Sequence, residues 1–273
     1  MVSVIGVGDN TVDRYLHLGT MFPGGNAVNV AVLARRHGAK ASYVGWFGND
    51  EAGRLLQTAL RQEGVDISRC RVVDGPNAQS SVTLVNGDRV FGPSSPGVTN
   101  QICLEEADLD FIRQHDLTHT SIYSYIEPQL AQLRKAAPKL SFDFSNHWKL
   151  DYVREVAPYV DIAFLSTSDY SRADTVALMR WIASLGPSLV VATRGSEGSL
   201  AFDGERIYEQ GIVPTQVVDT LGAGDSFAAR LIVELLSGST LEHAMAMAAV
   251  SAAQTCTYYG AFGYGHPITP PGS

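Results

Sequence analysis

Hydrophobic and polar positions follow two alternating periods along most of this 273-residue chain. From residue 105 onward, segments with apolar residues at helical spacing alternate with short runs of apolar residues. The predicted order is helix 105–114, strand 117–122, helix 127–136, strand 140–144, helix 148–157, strand 160–165, helix 172–185 and strand 188–193. This alternation is typical of right-handed strand–helix–strand units, so it predicts an α/β protein with a parallel sheet.

The two ends of the chain extend the same pattern. The elements predicted there are strand 2–7, helix 26–37, strand 42–44 and helix 50–63, and then helices 223–236 and 241–256. The chain has no internal repeat and no linker long enough to separate a second unit, so one domain is predicted over residues 1–263. The tail, residues 264–273, is rich in Gly and Pro and is predicted to be flexible.

Two β-hairpins interrupt the alternation. Asn86-Gly87-Asp88 joins extended runs 79–85 and 89–91, and Asp203-Gly204-Glu205 joins runs 200–202 and 206–208. The Gly- and Pro-rich residues 92–97 are predicted to end all regular structure after the first hairpin. A β insertion bounded in this way is typical of a lid or of a docking ribbon.

Composition excludes several classes of function. The net charge is −8 and no Lys/Arg cluster is present, which argues against a nucleic-acid partner. The amino terminus lacks a signal-peptide pattern and no apolar run is long enough to span a bilayer, so no membrane partner and a cytoplasmic location are expected. Three separated cysteines and seven scattered histidines favour reduced thiols and no zinc site.

A glycine-rich turn at residues 219–225 carries the candidate chemistry. It follows an extended apolar run and opens an amphipathic helix, so a strand, a turn and a helix are predicted. The free N–H groups of the helix start attract anions, and the Asp225 carboxylate can accept a proton from an attacking hydroxyl. Both functions together fit phosphoryl transfer. The alternative is an ordinary helix start with an aspartate cap.

The usual nucleotide motifs are absent. No G-x-x-x-x-G-K-[ST] sequence occurs, and a dinucleotide fingerprint after the first strand fails because Thr11 stands at its third glycine position. Residues 193–198, after the apolar strand, remain as a candidate nucleotide turn. Taken alone, they equally fit a plain β-turn.

Two segments resemble the signatures of one family. Residues 219–225, of pattern D-T-x-G-A-G-D, are similar to the second signature of the ribokinase-like (PfkB-type) carbohydrate kinases, and residues 24–31 to the first. The resemblance covers residues 2–262. It implies a three-layer αβα fold with a mostly parallel central sheet and a small β-sheet lid from about residues 12–22 and 76–98. It also implies ATP and Mg²⁺, K⁺ beside the anion site, and a homodimer through the lid.

The resemblance and the chemistry of the side chains assign candidate roles. In catalysis, Asp225 is the predicted base, and the amides of Gly222, Ala223 and Gly224 form the anion hole. For the sugar, the predicted binding residues are Asp9, Asp13, Gly24, Gly25, Asn26, Asn29 and Arg89, with Asp9 and Asn26 equally suited to cap a helix. Gly24 and Gly25 are also the implied hinge of the lid. The predicted nucleotide-binding residues are Thr193, Gly195 and Gly198. Asp219 is the implied cation ligand.

Three shorter segments narrow the resemblance. Residues 8–13, 87–92 and 142–145 are similar to the family members that phosphorylate fructoselysine at its 6-hydroxyl. Arg89 would then pair with the carboxylate of such a sugar-amine. One segment departs from the family, because Ser166-Thr167-Ser168-Asp169 stands where an N-x-x-E motif helps to organise Mg²⁺, and metal binding through nucleotide and water is expected instead.

Other functions remain open from the sequence. A kinase for another sugar or a riboside differs only in the lid and in the side chains that face the substrate. A sugar-binding sensor without transfer activity is disfavoured by the intact turn. A nicotinamide dehydrogenase is disfavoured by the failed glycine fingerprint.

Overall fold

The computed structural model describes residues 1–85, 88–146 and 149–268, without the side chains of residues 84, 85 and 88–91. The strands are β1 (Ser3–Val7), β2 (Thr11–Tyr15), β3 (Thr20–Gly24), β4 (Lys40–Val44), β5 (Trp46–Gly48), β6 (Arg71–Val73), β7 (Gln79–Val85), β8 (Asp88–Ser95), β9 (Leu117–Ser121), β10 (Leu140–Asp143), β11 (Ile162–Ser166), β12 (Leu189–Thr193), β13 (Ser199–Phe202), β14 (Ile207–Gln210) and β15 (His266–Pro267). The helices are α1 (Asn26–Arg36), α2 (Glu51–Gln62), α3 (Glu106–Ile112), α4 (Leu130–Ala136), α5 (Leu150–Val156), α6 (Arg172–Ala183), α7 (Ala223–Leu236) and α8 (Leu241–Thr255).

Eight strands form the central sheet, in the order β14-β13-β12-β11-β10-β9-β1-β4. From β4 to β12 all neighbours are parallel, and β12, β13 and β14 are antiparallel. The predicted parallel sheet and the second hairpin are therefore confirmed.

Helices cover both faces of this sheet. Successive residues of β1 face opposite sides: Val4 packs in a cluster with α1, α7 and α8, and Ile5 in a cluster with α3, α4, α5 and α6. The same alternation holds for Val190 and Val191 of β12. Apolar strands buried on both faces are what a parallel sheet between helix layers requires. The αβα layering is the predicted one.

The central sheet brings three strand ends together. β10, β9 and β1 are neighbours, so their carboxyl ends lie at one edge of the sheet. Asp143 ends β10, Ser121 ends β9 and Asp9 follows β1. Open α/β sheets bind their ligands at this edge.

A second, five-stranded sheet has the order β15-β3-β2-β7-β8. Residues 92–97 were predicted to break all regular structure, but β8 continues to Ser95. The pairing of β7 and β8 shifts register between Ser80 and Val82, and this irregularity absorbs the Gly92-Pro93 pair without ending the strand. We call this sheet the lid sheet; Arg89 lies on β8, and its side chain is outside the described residues.

Two more predictions need correction. The run before the glycine turn, residues 211–218, is not a strand: β14 ends at Gln210, and Val217 and Val218 are exposed. The tail was predicted to be flexible from residue 264, yet β15 pairs with β3 and the Ile268 N–H donates to the Gly19 carbonyl at 2.9 Å. Edge pairing with the lid sheet holds residues 266–268, and residues 269–273 lie outside the described part.

Local contacts explain why α1 begins where it does. Gly25 precedes the helix with φ 107°, where a Cβ would lie 2.6 Å from the Cα of Asn10. The Asp9 carboxylate accepts hydrogen bonds from the first helical N–H groups, at 2.6 Å from Asn26 and 3.3 Å from Ala27. Asp9 therefore caps α1 from another element, and Asn26 does not cap it.

Within the described ranges, no helix combines the length and the apolar character that crossing a membrane requires.

Candidate active site

Gly222 forms the turn into α7. Its backbone has φ 76°, in the left-handed region, and a Cβ there would lie 2.4 Å from the Cβ of Ala261. Any other residue would meet both strain and a collision. This turn places Asp225 in the first turn of α7, where the amino end of the helix favours negative charge.

The Asp225 carboxylate is held by two asparagines of α1. Its Oδ1 accepts a hydrogen bond from Asn26 Nδ2 at 2.8 Å, and its Oδ2 accepts one from Asn29 Nδ2 at 2.6 Å. The carboxylate is half-buried, whereas both asparagines are buried. The two signature segments, residues 24–31 and 219–225, thus meet in space.

Asn26 also binds a second carboxylate. The same Nδ2 donates to Asp143 Oδ2 at 2.8 Å, so one amide group bridges Asp143 and Asp225. Behind it, His119 Nε2 lies 2.8 Å from Asn26 Oδ1, and His119 Nδ1 lies 2.8 Å from Ser141 Oγ. Asp143 and His119 were not predicted as site residues.

The Asp9 carboxylate makes its hydrogen bonds to neighbouring segments of the protein. Besides the two N–H groups of α1, its Oδ1 accepts hydrogen bonds from Ser121 Oγ at 2.9 Å and Ser124 Oγ at 2.8 Å. The side chain joins the ends of β1 and β9 to the start of α1. A role in binding sugar remains a prediction, and the contacts present are those of a cap.

Burial and mutual repulsion set the charge state of the acids. Burial, and next the charge of Asp143, raise the pKa of Asp225 to about 7, against the hydrogen bonds from Asn29 and Asn26. Burial raises the pKa of Asp143 to about 6 and also raises that of Asp9. A carboxyl group that titrates near neutrality has the proton affinity expected of a general base.

Tyr123 stands at the same edge. Its side chain is 41% exposed, and its hydroxyl lies 2.8 Å from Ser145 Oγ. Burial of the hydroxyl raises its pKa to about 12, and the charges of Asp143, Asp225 and Asp9 act in the same direction. This tyrosine therefore stays protonated beside the three acids.

Two of the three amides of the predicted anion hole donate no hydrogen bond to a described residue. The Ala223 N–H donates to the Thr220 carbonyl at 3.2 Å, while the hydrogen bonds among described residues include none from the N–H groups of Gly222 and Gly224. A Cβ on Gly224 would meet nothing within 4 Å. Packing among the described residues does not explain a glycine there, and its role at a phosphoryl group remains a prediction.

One of the predicted sugar-binding residues carries a buried acceptor to which no described residue donates. Asn29 Oδ1 has no hydrogen-bond partner among the described residues. A Cβ on Gly24 would lie 3.7 Å from that oxygen and 2.6 Å from Asp13 Oδ2, so Gly24 lies between the two side chains. A buried acceptor of this kind favours a donor from a bound ligand, such as a sugar hydroxyl.

Asp219 connects three segments. Its Oδ2 accepts hydrogen bonds from the Tyr15 hydroxyl at 2.5 Å and the Gly260 N–H at 3.0 Å, and its Oδ1 accepts one from the Leu221 N–H at 3.0 Å. The residue is 3% exposed. Three protein donors thus already contact this carboxylate, and its role as a ligand of the implied K⁺ remains a prediction.

The candidate nucleotide turn lies after β12. Gly195 and Gly198 have φ values of 56° and 85°, and a Cβ on Gly198 would lie 2.2 Å from the Gln210 carbonyl oxygen. Gly198 is thus required by the turn itself. A Cβ on Gly195 would lie 3.3 Å from Ser168 Oγ, which places the segment that replaces N-x-x-E beside this turn. Thr193 and these glycines remain predicted nucleotide ligands.

The described residues contain no group of three or more His, Cys, Asp or Glu side chains placed to hold a metal ion. That Mg²⁺ is held through nucleotide and water stays a prediction from the departure from N-x-x-E. Asp143 was not predicted as a site residue, although the sequence contained a signal for it. It lies near the carboxyl end of a predicted parallel strand, just as Asp9 follows one. His119 had no such signal, since a histidine inside a strand is usually a core residue.

Residues 2–264 match the family model described as pfkB family carbohydrate kinase, so the chain belongs to this family. The predicted carbohydrate kinase is thereby confirmed.

Two relatives match along nearly their full length. The chain is 44% identical over 270 residues to "Fructosamine kinase FrlD" of Bacillus subtilis (strain 168), covering 97% of this chain and 95% of the relative. It is 38% identical over 263 residues to "Fructoselysine 6-kinase" of Escherichia coli (strain K12), covering 96% of this chain and 100% of the relative.

Solved structures show the fold. The Arabidopsis thaliana ribokinase complexed with ribose and ATP superposes with a TM-score of 0.83 at 23% identity, covering 96% of this chain and 94% of that one. The Thermotoga maritima ribokinase gives a TM-score of 0.80 at 19% identity, with coverage of 98% and 97%. The predicted ribokinase-like architecture is confirmed.

Proposed function

We propose that this protein transfers the γ-phosphoryl group of ATP to the 6-hydroxyl of fructoselysine or a related sugar-amine. The names of the Bacillus subtilis and Escherichia coli relatives support this substrate class. The observation that carries the mechanism is the Asp225 carboxylate at the amino end of α7, held by two asparagines and with its pKa raised to about 7.

Asp225 is the general base of the proposed reaction. The O–H bond of the acceptor breaks as its proton passes to Asp225, and the oxygen forms a bond to phosphorus. The bond from phosphorus to the bridging oxygen of ATP breaks, and ADP leaves. The amides at the start of α7, with Gly224 as the open position, stabilise the charge on the transferred group.

The acceptor residues hold the sugar in place. Asn29 Oδ1 accepts a hydrogen bond from a sugar hydroxyl while its Nδ2 stays on Asp225. Asp13, which lies on the lid sheet and is 5% exposed, supplies a further hydrogen-bond acceptor. On the other side, Thr193, Gly195 and Gly198 line the nucleotide, and Mg²⁺ bound to it offsets the charge of its phosphates.

The charge of the site favours a cationic acceptor. Asp9, Asp143 and Asp225 have raised carboxyl pKa values, and no Lys or Arg of the described residues is among the main influences on them. The secondary amine of an Amadori compound is protonated near neutral pH. Its positive charge is attracted to this edge of the sheet, whereas a neutral hexose or riboside gains nothing from it.

An ATP-coupled assay with fructoselysine, fructose, ribose and an aminoimidazole riboside tests the proposal. We expect fructoselysine to have the highest kcat/KM. Preference for ribose or the riboside would instead favour the alternative sugar kinases. Tight sugar binding without turnover on any substrate would favour a sensor.

The base is tested separately with Asp225→Asn. We expect kcat to fall by a factor of about 10³ or more, with KM nearly unchanged. The control is Asp151→Asn, a similar change at an exposed residue of α5. Near-normal turnover in Asp225→Asn would remove this residue from the mechanism.

The lid sheet is also the proposed dimer contact. β8 forms its edge, and the backbone of an edge strand offers unpaired N–H and C=O groups to a second copy. Light scattering during size-exclusion chromatography measures the mass; a monomer at assay concentrations would contradict the pairing.

A further inference from the structure

Asp143 has no place in the reaction as proposed, yet it is tied to the base. Its Oδ1 accepts a hydrogen bond from the Ser145 N–H at 2.7 Å, and its Oδ2 accepts one from Asn26 at 2.8 Å. Both donors are neutral. Among the described residues, the carboxylate therefore lies at the ligand-binding edge without a cation bound to it.

Asn26 connects Asp143 to Asp225 through a single amide. An NH₂ group has two hydrogens, and its two acceptors here are Asp143 Oδ2 and Asp225 Oδ1. One hydrogen goes to each carboxylate. The two acids are thus fixed at the two sides of one nitrogen, and each is exposed to the charge of the other.

The two carboxylates set the orientation of that amide, with His119 behind it. His119 is fully buried, and burial lowers its pKa to about 3, so the ring is neutral and has a single N–H. Its Nε2 lies 2.8 Å from the Asn26 oxygen and its Nδ1 lies 2.8 Å from Ser141 Oγ, so the ring nitrogen that carries the hydrogen follows from the orientation of the amide. The reversed amide would point its oxygen at two carboxylates. The NH₂ group is therefore held toward both acids.

We propose that Asp143 is a positioning residue that, through Asn26 and by its own negative charge, makes Asp225 a stronger base for the acceptor hydroxyl. The inference rests on the proposed function only for the identity of the hydroxyl. The proton leaves the acceptor oxygen and stays on Asp225, and Asp143 exchanges no proton in the step.

In the described part of the chain, Asp143 is the main charge that acts on Asp225. From the end of β1 comes Asp9, which contributes less to the raised pKa of Asp225. From the end of β9 come the neutral Tyr123 and the neutral His119. From α1 come Asn26 and Asn29, whose hydrogen bonds act in the opposite direction.

The test is the pH dependence of kcat/KM for the wild type and Asp143→Asn, with fructoselysine and ATP. The acid limb of this profile reports the base of the free enzyme. We expect Asp143→Asn to move the limb down by about one pH unit, a tenfold loss of proton affinity. On the alkaline plateau the variant turns over several-fold more slowly. Asp151→Asn is the matched control, with the limb unchanged.

A second measurement applies even to an inactive variant. Carbon-13 NMR of labelled aspartate carboxyls, assigned by loss of a signal in Asp225→Asn, titrates Asp225 directly. The inference is overturned if, in folded Asp143→Asn, the acid limb of kcat/KM and the NMR titration of Asp225 both stay at their wild-type pH. If Asp143→Asn does not fold, Asp143→Ser is titrated instead. Near-normal turnover in Asp225→Asn would contradict Asp225 as the base. The NMR titration of Asp225 would still decide whether Asp143 raises its proton affinity.

Discussion

The hydroxyl of Tyr15, on strand β2 of the lid sheet, donates a 2.5 Å hydrogen bond to Asp219, at the start of the glycine turn. The two residues are 204 positions apart and both are buried. Asp13, a predicted sugar-binding residue, lies two residues before Tyr15 on the same strand. One short strand thus connects this residue to the glycine turn.

We expect Tyr15→Phe to lower kcat/KM by about tenfold or more, because losing a hydrogen bond to a charged group costs about 1.5–3 kcal/mol and loosens the turn. Steady-state kinetics measure the effect. Tyr208→Phe is the matched control, since its hydroxyl donates to Asp203 at 2.7 Å in the second hairpin, away from the site. Equal kinetics for the two variants would contradict the connection.

The same contact predicts the response to K⁺. Three protein donors occupy the Asp219 carboxylate, so a cation competes with the Tyr15 hydroxyl. Tyr15→Phe should therefore be activated more strongly by KCl than the wild type, at ionic strength held constant with tetramethylammonium chloride. If KCl acts identically on both proteins, Asp219 is not where it binds.

Two glycines of the turn should separate folding from catalysis. Gly224→Ala places a methyl group in open space, so the fold should keep or slightly raise its melting temperature while kcat falls. Gly222→Ala meets positive φ and Ala261, and should destabilise the protein by roughly 1–3 kcal/mol. Thermal unfolding and kinetics on both variants check this. Full activity in Gly224→Ala would argue against a phosphoryl group at that amide.

The acid cluster should make stability depend on pH. Folding raises the pKa of Asp225 to about 7 and that of Asp143 to about 6. A carboxyl group whose pKa is raised by folding stabilises the folded state below its unfolded-state pKa. This contribution is lost as the pH rises through its folded-state pKa. Stability from this pair therefore falls between about pH 4 and pH 7.

Removing one charge should reverse that loss. We expect Asp225→Asn to raise the melting temperature at about pH 8 by a few degrees, and the gain to vanish toward about pH 4. Differential scanning calorimetry over this range makes the comparison, with Asp151→Asn as a pH-independent reference. A gain that stays constant with pH would mean that the charge is not its cause.

Local patterns were sufficient for most elements. The spacing of apolar residues placed α7 at its observed bounds and α1 within one residue of them, because helix periodicity and the adjacent glycines are local features. The strand predicted at residues 211–218 was wrong, because an apolar run does not reveal whether a neighbouring strand exists to pair with it. The pair β5 and β6 was missed because each has only three residues.

The sequence by itself determined the layered α/β architecture, the glycine turn and Asp225 as the candidate base, since these depend on residues close together in the chain. Only the tertiary structure decided that Asp9 caps α1, that Tyr15 reaches Asp219, and that Asp143 shares Asn26 with Asp225. The pairs Asn26–Asp143 and Asn26–Asp225 are separated by 117 and 199 positions. Their contacts follow from the order of the strands in the sheet and from the packing of α1 on α7, which no local pattern encodes.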